Sequence, residues 1–328
     1  MLEALTEIDQ IRIAFSQDGK HILNITIAII MFGVALELNP KDFVTLFKKP
    51  KPALVGILSQ FVLMPLLTFL LALSMQNFIT PTIGLGMILV AACPGGNVSN
   101  FMSAMAKGNL ALSVSLTTFS SIGGLVLTPF NFAFWGNLYI NSSNSVASAE
   151  LVKSLKIDPI EVLQTMVLIL GAPLVLGVLI NRFFPGFTTR FLVAIKRFSI
   201  VAFIGIIVVI FVKNYDLFVN YIQYIFFIVL VHNALALAIG YYSAKAFGLN
   251  HQIRKTIAIE TGIQNSGLAL ALLFNPAIFP EDLAIGGMTF IAAWWGVWHI
   301  VSGLSIAGWW SGFKLSAEPK TATSQELL

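Results

Sequence analysis

The stretch that most constrains the fold is Glu260-Thr-Gly-Ile-Gln-Asn-Ser-Gly267, set in an apolar segment that begins near Thr256 and runs to Phe274. A carboxylate, two carboxamides and two glycines stand where a membrane helix carries hydrocarbon. An acidic residue at the centre of a spanning helix costs roughly 2.5 to 3.5 kcal/mol on insertion scales. Some interaction must offset that cost, and a bound cation is the natural candidate.

The apolar setting is a membrane. Hydrophobic residues make up 57% of the chain and charged residues 10%, against about 25% charged in soluble domains. Apolar runs fall at about 22–38, 53–73, 81–93 (continuing to 105), 111–135, 159–180, 199–212, 222–247, 256–274 and 283–311. Spans of about 20 residues cross a bilayer, so the pattern predicts an all-α polytopic protein with nine transmembrane helices. The acidic start, with Glu3, Glu7, Asp9 and Asp18, is unlike a signal peptide. The first span is then its own insertion signal.

Basic residues orient the spans. Of the 19 Lys and Arg residues, Arg12, Lys20, Lys153, Lys156 and Lys213 fall on the N-terminal side and all others on the opposite side. Positive residues favour the cytoplasm. The N-terminus is therefore expected outside the plasma (inner) membrane and the C-terminus in the cytoplasm. The net charge of +4 is modest and is no nucleic-acid footprint, and no obligate protein partner is evident; the lipid bilayer is the expected surroundings. The expected organisation is a polar segment 1–20, a first repeat of four spans at 21–135, an extracellular linker at 136–157, a second repeat of five spans at 158–311, and a tail at 312–328.

Two of the runs are interrupted. Pro94-Gly95-Gly96 breaks the third at mid-membrane, since proline removes a donor and clashes with the preceding turn. The 260–267 stretch is its counterpart in the second half. One span earlier, each half carries polar groups at depth: Gln60 in one, His232 and Asn233 in the other. Backbone freed at such breaks cannot face lipid, and paired interruptions point to a secondary transporter's binding site.

The chemistry around the breaks suits a hard cation, which prefers carboxylate, carbonyl and hydroxyl oxygen. Glu260, Gln264, Gln60, Asn100, Ser99, Ser113 and Thr117 supply these groups. Ser113 and Thr117 are spaced i, i+4, which puts both hydroxyls on one side of a helix. Two sodium ions sharing Glu260 leave a net positive charge that favours an anionic substrate. Metal-spaced Cys and His clusters and a Walker sequence are missing, and no catalytic set stands out, so neither zinc, nor ATP, nor an enzyme is expected. His299 divides between a helix-packing role and a substrate contact. A proton- or cation-coupled antiporter remains the alternative to symport.

The motifs Cys93-Pro-Gly-Gly-Asn-Val-Ser-Asn100 and Glu260-Thr-Gly-Ile-Gln-Asn-Ser-Gly-Leu-Ala269 strongly resemble those of the bile acid:sodium symporter family. Gln60-Phe-Val-Leu-Met-Pro65 and Trp298-His-Ile-Val-Ser-Gly303 match as well. The resemblance runs from about residue 25 to 311. It implies inverted repeats, two discontinuous helices crossing at mid-membrane, and a core domain against a panel domain. It implies two sodium sites, one of Ser99, Asn100, Ser113, Thr117 and Glu260, the other of Gln60, Glu260, Gln264 and the carbonyls of Thr261 and Ile263. Asn265 and His299 then lie near a cavity for a bile acid or another small organic anion, moved with sodium by alternating access. Position 300 is Ile, where the family usually has Asn.

Overall fold

The computed structural model describes residues 2–10, 25–26, 28–29, 32–33, 35–36, 50–96, 98–142, 159–213, 215–275, 278–279 and 283–312. Most of the expected first span at 22–38, residues 143–157 of the expected linker and 313–328 of the tail lie outside the described residues. Among those described, every named element is helical.

In chain order the elements are α1 (Leu2–Gln10), α2 (Pro50–Leu58, Ser59–Leu63 and Met64–Ser74), α3 (Pro81–Ala92), α4 (Val98–Met105) and α5 (Leu110–Ser142). They continue with α6 (Pro159–Met166, Val167–Gly171 and Ala172–Phe183), α7 (Pro185–Lys213), α8 (Tyr215–Ala246), α9 (His251–Gly262), α10 (Ser266–Leu273) and α11 (Gly286–Ser311). Four stretches among the described residues are long and apolar enough to cross a membrane: Pro50–Ser74, Leu110–Ser142, Val219–Ala246 and Gly286–Ser311.

The helix starts follow local chemistry. Thr80 caps α3 by accepting from Ile83 N–H, with Pro81 as the first helical residue. Asn250 caps α9 through Ile253 N–H, and Asn265 caps α10 through Leu268 N–H, each at 3.0 Å. α11 ends at Gly312 in the left-handed region, φ 74°.

Proline explains the distortion in α2. Pro65 has no N–H for the carbonyl of Phe61, four residues back. The helix widens into a π turn over Ser59–Leu63, and Asn131 on α5 donates its Nδ2 to Phe61 O at 3.1 Å. Such π turns recur at functional sites, and this one carries Gln60.

α3 sits at the centre, with every residue from Pro81 to Ala92 buried. A helix apolar all round needs neighbours all round, and α2, α5 and α11 supply them. Gly86 permits the approach of α11, since a Cβ there would stand 2.7 Å from the Cα of Met288. Outside this core, α1 lays Leu5 and Ile8 into the apolar cluster. Its Asp9 carboxylate accepts from Thr80 Oγ1 at 2.9 Å, from Thr82 Oγ1, and from the backbone N–H of Gly287. Asp9 thus ties the start of α3 to the start of α11.

Two boundaries differ from the sequence reading. α5 runs on to Ser142, into the stretch expected as linker, because Tyr139 and Ile140 are buried beside Val162 and Met166 of α6. α7 starts at Pro185 rather than near 199.

Candidate functional site

α3 and α9 each end inside the molecule. α3 stops at Ala92, and the chain resumes as α4 at Val98; α9 stops at Gly262 and resumes as α10 at Ser266. The polar stretch of the second half is therefore only partly unwound. Glu260 and Thr261 remain in the last turn of α9, and the break itself is Ile263–Asn265.

The two breaks meet. Gly95 and Gln264 form an antiparallel bridge, with Gly96 N–H donating to Ile263 O at 2.9 Å and Asn265 N–H donating to Pro94 O at 2.8 Å. Carbonyls freed at a buried helix end must find donors, and side chains supply the rest. Gln60 Nε2 donates to Cys93 O at 3.2 Å and to Gln264 Oε1 at 2.8 Å. Gln264 Nε2 donates to Thr261 O at 2.8 Å. Asn233 Nδ2 donates to Gly262 O at 2.8 Å.

Glu260 is 5% exposed. Its Oε1 accepts from Ser99 Oγ at 2.7 Å and from Ser113 Oγ, and its Oε2 from Thr117 Oγ1 at 3.0 Å. Thr117 Oγ1 also lies 3.2 Å from Asn100 Oδ1, 3.0 Å from Ser113 O and 3.4 Å from Ser99 Oγ. A hydroxyl has one proton, so Thr117 satisfies only one of these oxygens at a time. The cluster holds more lone pairs than protons. That surplus is what a hard cation takes up, and the donor set fits sodium on this ground.

The five residues of the first expected site, Ser99, Asn100, Ser113, Thr117 and Glu260, are thus brought together from α4, α5 and α9. Of the second set, Gln60, Gln264 and the Thr261 carbonyl are linked in one chain of hydrogen bonds, and the Ile263 carbonyl is held by Gly96. A cavity between α2 and α5 reaches both sets; Gly56, Gln60, Leu116, Phe119, Ser120 and Glu260 are in its lining.

Asn265 is half-buried, and its Oδ1 is engaged as the cap of α10. His299 is buried on α11, 4% exposed, and among the described residues its ring is not hydrogen-bonded to Glu260 or Asn265. Ile300 packs on the apolar cluster of Met102, Ala106 and Ile259.

Two residues without an expectation from the sequence, Ser59 and Asn131, also take part, as does Ser120 from the run of hydroxyls in the fourth span. Ser59 Oγ pairs with Thr261 Oγ1 at 2.9 Å, Ser120 lines the cavity, and Asn131 supports the π turn. Ser59 could have been found from its place beside Gln60. Asn131 carries no local signal at all.

The chain is similar over most of its length to known transporters. A family model described as the Sodium Bile acid symporter family matches residues 24–221. "Uncharacterized sodium-dependent transporter YocS" of Bacillus subtilis (strain 168) is 32% identical over 289 residues, 88% of this chain and 83% of that protein. "Probable sodium/metabolite cotransporter BASS2, chloroplastic" of Oryza sativa subsp. japonica is 30% identical over 290 residues, 83% of this chain but 64% of that protein. "Ileal sodium/bile acid cotransporter" of Homo sapiens is 26% identical over 266 residues, 80% of this chain and 72% of that protein.

Proposed function

The chain belongs to the sodium bile acid symporter family, and from that premise we propose that it is a sodium-coupled symporter of a small organic anion. The observation that supports this most directly is the buried Glu260 carboxylate among four oxygen-bearing side chains where two broken helices meet. Two sodium ions travel with the substrate. One is held by Ser99, Asn100, Ser113, Thr117 and Glu260, the other by Gln60, Glu260, Gln264 and the carbonyls of Thr261 and Ile263. A single shared carboxylate leaves the pair of ions with net positive charge, and this charge favours an anion nearby.

The molecule acts as two inverted repeats within nine spans, with the N-terminus outside the plasma membrane. The broken helices and their neighbours form a core. The remaining spans form a panel against which the core moves. Sodium at the breaks fixes the relative position of α4, α5 and α9, and so the state from which the core moves against the panel. Asn265, at the end of the second break, contacts the substrate, and His299 comes to it as the cavity opens. The substrate is a bile acid or another small organic acid.

Reconstitution in liposomes tests this reading. Uptake of taurocholate and of small organic acids is measured with an inward sodium gradient and with potassium in its place. Uptake that requires the sodium gradient is the expected result. Equal uptake in potassium rejects sodium symport, and uptake driven by a proton gradient alone rejects it in favour of proton coupling.

A further inference from the structure

The two breaks are built alike in one respect. In the first half, Gln60 on α2 donates its carboxamide N–H to Cys93 O, just past the end of α3. In the second, Asn233 on α8 donates its carboxamide N–H to Gly262 O, the last carbonyl of α9. In each case the preceding long helix supplies an amide to the carbonyl where the next helix stops. Gln60 belongs to a proposed sodium site. Asn233 belongs to neither.

Asn233 is 1% exposed, and both ends of its amide are engaged. Ser302 Oγ on α11 lies 2.5 Å from Asn233 Oδ1 and 3.2 Å from its own-helix carbonyl at His299. The hydroxyl has one proton, and Asn233 Oδ1 is the nearer of its two acceptors. That bond fixes the amide orientation, leaving Nδ2 toward Gly262. The contact is close: a Cβ at Gly262 would stand 2.6 Å from Leu237 Cγ, one turn along α8 from Asn233. Glycine is what lets the end of α9 lie on α8.

The effect falls on the flanking peptides. Gly262 lies between Thr261 and Ile263, whose carbonyls are the backbone ligands of the second sodium site. Ile263 is extended, φ −107° and ψ 97°, and successive carbonyls of an extended chain point opposite ways. Gly262 O is turned to Asn233 on α8, while Ile263 O is turned to Gly96 in the other break. We propose that Asn233, oriented by Ser302, is a positioning residue for the second sodium site: it clamps the Gly262 carbonyl onto α8 and so sets the direction of the neighbouring ligand carbonyls.

The proposal rests on the sodium reading above, and the experiment separates the two. Purified protein is melted at increasing sodium, with potassium holding ionic strength constant, and the sodium concentration giving half the maximal stabilisation is read. No sodium response in the wild type rejects the sodium reading itself. Given a wild-type response, Asn233→Ala is expected to need about tenfold more sodium, the scale on which an outer residue that orients a ligand acts. Ser302→Ala moves the same way by a smaller factor, and Ser302→Thr, which keeps the hydroxyl, restores the wild-type value. A lower melting temperature without sodium at an unchanged sodium midpoint means packing alone and overturns the proposal. If Asn233→Ala does not fold, Ser302→Ala decides: a midpoint within about twofold of wild type overturns it.

Discussion

At the scale of single residues, the site is a matter of oxygen and charge. Glu260 lies buried with three hydroxyls aimed at it, and its charge is what distinguishes a cation site from a polar packing cluster. Glu260→Gln keeps the shape and removes the charge. We expect this variant to lose its sodium-induced rise in melting temperature, a stabilisation worth about 2.7 kcal/mol at a hundred times Kd. Without sodium it should melt no lower than the wild type, because it buries no charge. Retained sodium stabilisation would remove Glu260 from the ligands. Much of this cluster was legible in the sequence, because a carboxylate and paired hydroxyls stand out in apolar runs. The role of Asn233 was not. Its depth was visible, but its partners, Gly262 and Ser302, lie 29 and 69 residues away. Only the fold brings them into contact.

At the scale of elements, two helices owe their form to tertiary contacts rather than to local sequence. Pro65 announces a defect in α2, yet the repair comes from Asn131 on α5. Asn131→Leu leaves Phe61 O without that donor, a loss of about 1–3 kcal/mol for an unsatisfied buried group. Because Gln60 is in the same π turn, we expect a lower melting temperature together with a higher sodium requirement; the same sodium titration, read against melting without sodium, measures both. The extension of α5 through Asn137 to Ser142 reads as a polar loop in sequence. Burial of Tyr139 in the cluster shared with α6 overrides that local preference. In sequence the second break spans 260–267, where Gly262 and Gly267 flank a polar centre. Polarity alone does not end a helix, and α9 continues until Gly262 meets α8.

Across the whole molecule, the short α1 acts as a strap over the core. Asp9 bonds to Thr80, Thr82 and the Gly287 N–H, linking the starts of the helix that leads into the first break and of the helix that carries His299. Burial is the largest influence on this carboxyl and pushes it up to about 6, against 3.8 in the open chain; the three hydrogen bonds oppose the shift. The folded state therefore holds its proton more tightly than the unfolded state between these values. Stability from this group is complete below about pH 4, falls as pH rises to about 6, and stays reduced above that. Asp9→Asn removes the charge while keeping an acceptor for the threonines. It should melt higher than wild type at pH 8 and alike at pH 4. An equal difference at both values would mean that the charge of Asp9 plays no part.

The backbone bridge between Gly95 and Gln264 joins the two halves of the chain with only two hydrogen bonds, those to Ile263 O and Pro94 O. At a net worth of about 0.5–1.5 kcal/mol each, they form a clasp of about the same strength as the few kcal/mol that separate alternative states of one protein. A long ladder of strands would weld the halves into one fixed body. A two-bond clasp sets the register of the two breaks, and most of the polar contact between the halves is left to side chains: Gln60 to Gln264, Ser59 to Thr261, and Ser99, Ser113 and Thr117 to Glu260.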